Sequence, residues 1–232
     1  MTKPLLIPTE IATEIPTGHN TRTSIRQILR TRRKTLTPTF QKEAAEALSL
    51  TLKNDMVVKK AKHIALYLAQ NGELDLQPFI RWCWQQNKQL YLPIVHPFSK
   101  GHLLFLRYDN NSTMVMNKYN IEEPKLDVRN IKPIQQLDII LTPLVAFDST
   151  GARIGMGGGY YDRTLAKWYE HYLKNKEYDQ DKHYAQGKQY TPALIGVAHD
   201  CQQITKVPYE AWDIPLPKII TPTRTIKCKA LG

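Results

Sequence analysis

Cysteine is scarce in this chain: its 232 residues contain three, Cys83, Cys201 and Cys228, odd in number and far apart. That usage excludes a disulfide framework and a CxxC metal or redox pair, and it favours a reducing, cytoplasmic setting. Long apolar runs are missing as well. The longest, Leu137 to Phe147, is broken by Asp138, Thr142 and Pro143, and it is about half of the ~20 residues needed to span a bilayer. No membrane partner is expected. The amino-terminal stretch holds Lys3, Glu10, Glu14 and the prolines Pro4, Pro8 and Pro16 without an uninterrupted apolar core. It therefore reads as a loose arm over residues 1–21 and not as a secretory signal. The familiar phosphate motifs fail too. No GxxxxGK[ST] loop occurs, and a GxGxxG begun at Gly155 would need glycine where Tyr160 stands. Zinc-finger spacing, an RNP-like aromatic signature and a basic zipper heptad are all absent, so no nucleic-acid partner is expected.

What is present describes an ordinary globular chain. At 42% hydrophobic and 23% charged residues, it is large enough to bury a real core as one domain over residues 22–232. The charge is lopsided: 32 basic against 21 acidic residues give +11. Between Arg22 and Lys62 eleven Lys or Arg face three acids, which places +8 of the +11 in one segment. Such an excess points to an anionic partner, a phosphorylated small molecule among them.

Local patterns predict an α/β architecture. Ile25, Ile28 and Leu29 recur at helical spacing within Thr23 to Thr35, and Thr37 with Pro38 makes an N-cap and first-turn pair for a helix reaching about Asn54. A strand over His63 to Ala69 and a helix over Leu76 to Asn87 follow. Further strands are expected at Gln89 to Val95, Leu103 to Tyr108, Asp138 to Thr142 and Ala193 to Ala198, and a further helix at Tyr160 to Lys174. Alternation of this kind predicts a largely parallel central sheet. Residues 174–190 are polar and aperiodic and read as an exposed loop.

The most informative stretch is Pro143 to Thr164, PLVAFDSTGARIGMGGGYYDRT, where a strand-like run leads into four glycines in five positions and then into a helix. Glycines allow the backbone to approach a ligand closely and leave N–H groups at a helix start for phosphate oxygens. Taken alone, the segment is equally well a tight strand-to-helix turn. Its company favours an anion site: Arg153 precedes the glycines, Tyr160 and Tyr161 follow, and Asp162 stands in the first helical turn, where a carboxylate beside phosphate suits Mg²⁺. Arg22, Arg26, Arg30 and Arg33 fall at i, i+4, i+8 and i+11, one face of a helix. By default that face is solvated, although two guanidiniums one turn apart can grip one polyphosphate. His63, His96 and His199 are expected to be surface or satisfied packing residues.

Four segments, TSIRQILRTRR near the amino terminus, AQNGELDL at 69–76, LVAFDSTGARIGMGGGYYDRTLA at 144–166 and VPYEAWDIPLPKIITPT at 207–223, together resemble the 5-formyltetrahydrofolate cyclo-ligase family. The resemblance runs from about Arg22 to the carboxyl terminus. It implies a three-layer α/β/α fold and an ATP-dependent enzyme that turns 5-formyltetrahydrofolate into 5,10-methenyltetrahydrofolate, releasing ADP and phosphate, as a monomer or weak dimer.

By position, the resemblance implies that Arg22, Arg26 and the loop Arg153, Ile154, Gly155, Met156, Gly157, Gly158, Gly159, Tyr160 and Tyr161 bind ATP. It makes Asp162 and Asp213 the magnesium carboxylates, and Leu68, Glu73, Met156 and Tyr160 the folate contacts. Arg153 and Tyr160 would take part in catalysis. Arg22 stands where the family has lysine and Ile25 where it has leucine; the first exchange keeps charge but changes geometry. Tyr119 falls in a region where some relatives carry an aromatic at the folate site. Two rival readings are a non-enzymatic nucleic-acid binder, favoured only by the net charge, and a different ATP-using enzyme on the same fold.

Overall fold

Thr21 and Thr37 open the first two helices in the same way, each accepting a hydrogen bond on its side chain from the backbone N–H three residues on. A computed structural model describes residue 15 and residues 21–176 and 192–228. The arm expected over residues 1–21 lies outside the described residues apart from Ile15, which packs against a buried cluster that includes Ile25 and Leu29 of the first helix, and the capping Thr21. Of the loop expected at 174–190, residues 174–176 close a helix and the remainder lies outside the described residues.

The helices are α1 (Arg22–Lys34), α2 (Pro38–Asn54), α3 (Met56–Lys60), α4 (Gln77–Gln85) and α5 (Tyr160–Lys176). The strands of the main sheet are β1 (His63–Ala65), β2 (Gln89–Val95), β3 (Leu103–Tyr108), β6 (Ile131–Lys132), β7 (Ile139–Pro143), β10 (Ala193–Val197), β11 (Lys218–Ile220) and β12 (Thr225–Lys227). Two small hairpins stand apart, β4 (Met114–Met116) with β5 (Glu122–Pro124), and β8 (Ala146–Phe147) with β9 (Arg153–Ile154). The sheet order is β12-β11-β10-β7-β1-β2-β3-β6. Its five middle strands run parallel, while β12 on one edge and β3 and β6 on the other are antiparallel.

Successive strand residues send their side chains to opposite faces, and this divides the core in two. Ile64, Leu90, Ile139, Ile195 and Ile220 pack with Leu48 and Leu52 of α2, Val58 of α3 and Phe79 of α4. Ala65, Tyr91, Ile140, Leu194 and Ile219 pack with Leu165 and Trp168 of α5. The result is the three-layer α/β/α arrangement with a largely parallel sheet that the sequence led us to expect. β1 ends at Ala65, four residues before the expected limit, because the chain after Leu66 leaves the ladder and turns toward Gln70 to Glu73. The strands β11 and β12 and both hairpins carry little local signal: each strand is two or three residues long. The connections that follow β1, β7 and β10 all emerge at the carboxyl ends of parallel strands, where open α/β sheets hold ligands.

Candidate active site

α1 lies against the β8–β9 hairpin through Ile25 and Leu29, which meet Val145, Ala146 and Ile154 in a third buried cluster. That packing carries Arg22 and Arg26 to the glycine loop, which α5 follows directly. Together they bound a cavity of about 770 Å³. Seven of the residues expected to hold ATP or metal line it: Arg22, Arg26, Gly155, Gly157, Gly159, Asp162 and Asp213. Gly157 and Gly159 have φ of +104° and +63°, a left-handed backbone that side chains disfavour.

Arg22 reaches across the cavity mouth to Asp213. Its Nη2 donates to Asp213 Oδ1 at 2.9 Å, and its Nη1 donates both to Asp213 Oδ2 and to the Pro208 carbonyl, the latter at 3.1 Å. The carboxylate holds the Arg22 guanidinium above its ordinary pKa. Arg26 Nε donates to the Gly155 carbonyl at 2.8 Å, and burial followed by the neighbouring Arg22 charge pulls its pKa down. It is thus a cation on the cavity wall whose one hydrogen-bond partner among the described residues is a backbone carbonyl.

Arg153 lies beneath this surface, 4% exposed. Its guanidinium donates to the Ile214 carbonyl at 2.5 Å and to Asp162 Oδ1 at 2.8 Å, and Asp162 Oδ1 also accepts from the Ile214 N–H at 3.2 Å. Arg153 therefore ties the start of α5 to the Trp212–Ile214 segment. Asp162 and Asp213 are hard oxygen donors on one cavity, which fits Mg²⁺ held by carboxylates, phosphate and water. Asp162 commits Oδ1 to the protein and presents the rest of its carboxylate to the cavity, whereas Asp213 has both oxygens in protein hydrogen bonds. Among the described residues no cluster of three or more His, Cys, Asp or Glu that could hold a metal occurs, so an ion here would need phosphate and solvent as its other ligands.

The expected folate residues stand apart from that cavity. Leu68 is partly buried against the α2–α4 side of the core. Glu73 is nearly enclosed: Oε2 accepts from the Gln70 N–H at 3.0 Å, and Oε1 lies 3.9 Å from Arg33 Nη1. Burial pushes the Glu73 carboxyl up, against the opposing pulls of Arg33 and the Gln70 amide. Its charge in turn adds to the burial that raises the phenols of Tyr67 and Tyr161. The influence on Tyr161 reaches the other half of the site, since Tyr161 lies in the first turn of α5, directly after the glycines. Tyr160 points the other way, with its hydroxyl hydrogen-bonded to that of Tyr119 and the rings edge to face at 6.0 Å. Met156 is half-exposed, and Ile154 is wholly buried in the β8–β9 hairpin.

Several expectations need correction or addition. Arg33 is not part of a solvated stripe; at 1% exposure it is among the most deeply buried side chains, because the turn at Asn71 and Gly72 covers the last turn of α1. His199 is not an ordinary packing histidine. Burial first, and then the Arg33 charge, push its pKa down to about 4. Arg163 and Trp212 line the cavity but were not singled out from sequence. Arg163 bridges the Gly101 and Gly158 carbonyls and lies over the Tyr160 ring. Its place one residue beyond Asp162 was the available signal. Tyr119, which falls where some relatives carry an aromatic, does stand against Tyr160.

The profile of the 5-formyltetrahydrofolate cyclo-ligase family matches residues 18–222. The chain belongs to that family. It is 45% identical over 197 residues to the 5-formyltetrahydrofolate cyclo-ligase of Escherichia coli K12, covering 85% of this chain and 98% of the relative. It is 43% identical over 195 residues to the Haemophilus influenzae protein of the same name, covering 84% and 92%. Its fold is similar to the solution structure of Aquifex aeolicus 5,10-methenyltetrahydrofolate synthetase, with a TM-score of 0.70 and 26% identity over 91% of this chain and 94% of that one. The cyclo-ligase family match spans all the cavity residues named above, from Arg22 to Asp213.

Proposed function

We propose that this chain converts 5-formyltetrahydrofolate to 5,10-methenyltetrahydrofolate with consumption of ATP and release of ADP and phosphate. The observation that carries the reading is the meeting, on one cavity, of Arg22, Arg26, the glycine loop and Asp162, within a chain that matches cyclo-ligases over nearly their full length.

A formamide oxygen is a poor leaving group. Transfer of the γ-phosphoryl group of ATP to that oxygen gives an activated imidate-like phosphate; N10 of the folate then attacks the formyl carbon, loses its proton, and phosphate departs as the ring closes. Catalysis of this kind depends on alignment and charge neutralisation and needs no protein nucleophile. Arg22 and Arg26 bind the polyphosphate, and the glycine loop lets it approach the start of α5. Arg153 acts by holding Asp162 in place. Tyr160 and Met156 border the folate side, where Leu68 packs against the substrate and Glu73 accepts hydrogen bonds from the pterin N–H groups. Asp162 and Asp213 would hold Mg²⁺, which, when bound, neutralises phosphate charge and fixes its geometry. We take the protein to work as a monomer or weak dimer in the cytoplasm; among the described residues no helix is long and apolar enough to cross a membrane.

The test is direct. The methenyl bridge extends conjugation and gives a near-ultraviolet band that the substrate lacks. Folded protein given Mg²⁺, ATP and 5-formyltetrahydrofolate should develop that band, with ADP formed in equal amount. A flat trace under saturating conditions would end the cyclo-ligase reading.

A further inference from the structure

Arg33 is a buried cation whose nearest acid is the carboxylate assigned to folate. Its Nε donates to the Asn71 carbonyl at 3.1 Å, its Nη1 reaches the Leu144 carbonyl at 3.5 Å, and that same Nη1 is 3.9 Å from Glu73 Oε1. Nη2 is enclosed and donates to no described residue. A fully buried guanidinium is costly unless charge and hydrogen bonds compensate it. Two carbonyls and one acid are an incomplete set for five N–H donors, so the Glu73 charge is the main compensation.

The backbone around this pair is shaped to it. Asn71 and Gly72 both have positive φ, +52° and +76°. At Gly72 a Cβ would sit 3.1 Å from the Arg33 carbonyl, tight enough to push the turn off the helix. Arg33 also shares the Leu144 carbonyl with Gln202, which donates to it at 2.6 Å, so the guanidinium is locked from both sides. Its helix carries Arg22 and Arg26 on the nucleotide cavity, about three and two turns away.

We propose that Arg33 is a positioning residue for folate: it fixes the direction and the ionisation of Glu73, and through α1 it joins the folate turn to the nucleotide arginines. The proposal rests on the folate role given to Glu73 above. The groups that face Glu73 are Arg33 from α1, Tyr67 and the Gln70 amide from the segment between β1 and Glu73, and Tyr161 from α5. Both phenols are held above their ordinary pKa and stay neutral, and His199, beside Arg33, is neutral above about pH 4. Arg33 is thus the cation that keeps the buried carboxyl ionised. Without it the Glu73 pKa rises, and folate binding is lost at a higher pH as the solution is acidified.

Two variants in the full chain test this, Arg33→Met, which keeps bulk but removes charge, and Arg33→Lys, which keeps charge but not the fork. Binding of 5-formyltetrahydrofolate is measured across pH by protein fluorescence without ATP, alongside KM for each substrate. In Arg33→Met we expect the folate KM to rise about 10-fold, the acid limb of folate binding to move up by about one pH unit, and the ATP KM to stay within about threefold of the parent chain. Arg33→Lys should return the acid limb to its parental position while keeping a raised folate KM. A purely structural arginine would not move the limb. Folded Arg33→Met with a parental limb and folate KM overturns the proposal, as does an equal loss for both substrates. If Arg33→Met does not fold, Arg33→Lys decides, and a folate KM within twofold of the parent overturns it. Failure of the parent chain itself to bind 5-formyltetrahydrofolate sinks the functional reading instead.

Discussion

Arg22 and Asp213, 191 residues apart in the chain, form a two-pronged ion pair on the wall of the cavity proposed for the nucleotide. The carboxylate is 3% exposed and the arginine 21%, so the pair is shielded from solvent on one side and open to the cavity on the other. A residue proposed for phosphate and a residue proposed for Mg²⁺ thus hold each other. The two carboxylates of the site consequently differ in availability, and Asp162 is the readier of the two.

Asp162→Asn keeps an Oδ1 acceptor for Arg153 and Ile214 but removes the charge offered to the cavity. The variant should stay folded, turn over more slowly and need more Mg²⁺ for half-maximal rate. A magnesium titration with a parallel melting curve checks this; identical magnesium dependence would leave Asp162 as a helix-start carboxylate stabilised by the α5 dipole.

Arg26→Ala removes the cation beside Gly155 and Gly157. A charge-assisted hydrogen bond contributes roughly 1.5–3 kcal/mol, so apparent ATP affinity should fall about 10-fold or more. The folate KM should move little. Nucleotide titration by calorimetry reads the first effect, and unaltered affinity would assign Arg26 to support of the loop alone.

Gly155 and Gly159 separate ligand approach from backbone need. A Cβ on Gly155 meets nothing within 4 Å, whereas one on Gly159, at φ +63°, would lie 2.7 Å from Arg163 Nη1. Gly155→Ala should melt like the parent chain yet bind ATP more weakly, because the methyl occupies space meant for the nucleotide. Gly159→Ala should lose stability as well, by about 1 kcal/mol or more. Parental ATP binding in Gly155→Ala would remove the glycine from the nucleotide surface.

Glu73→Gln retains shape and exchanges one acceptor oxygen for an NH₂ donor. The folate KM should rise roughly 10-fold, the scale of a lost charged hydrogen bond. A pair of saturation curves tests it, and a defect confined to ATP would exclude Glu73 from the folate site.

His199 should make the fold acid-sensitive. Burial holds its pKa at about 4 against an ordinary 6.5, so as pH falls through that window the unfolded chain binds a proton that the folded chain refuses. Stability is fully present above the upper value and declines toward the lower one, by up to about 3 kcal/mol. Urea midpoints measured across this range should fall with acidification, and should fall less in His199→Gln. Equal slopes would place the acid-sensitive group elsewhere.

The sequence by itself determined those features whose causes lie within a few residues. Thr37 and Pro38 start α2 by satisfying a backbone donor locally, the nearly continuous apolar run from Gln89 to Val95 makes a strand buried on both faces, and the run Gly155 to Asp162 forms a loop that opens a helix. The cyclo-ligase resemblance was equally legible, because four separated segments carried it. Tertiary structure decided what becomes of charge. Arg22 and Arg33 share a helix and a residue type, yet one lines a cavity and the other is sealed beneath the Asn71–Gly72 turn, and nothing within α1 distinguishes them. Arg153 likewise became an internal tie because the distant Ile214 segment covers it. Whether an ionised side chain meets water, phosphate or a buried carboxylate depends on which remote segment packs over it, and so does the pKa of His199 and Glu73. Helical periodicity can group the arginines on a face; only the folded chain assigns each of them a partner.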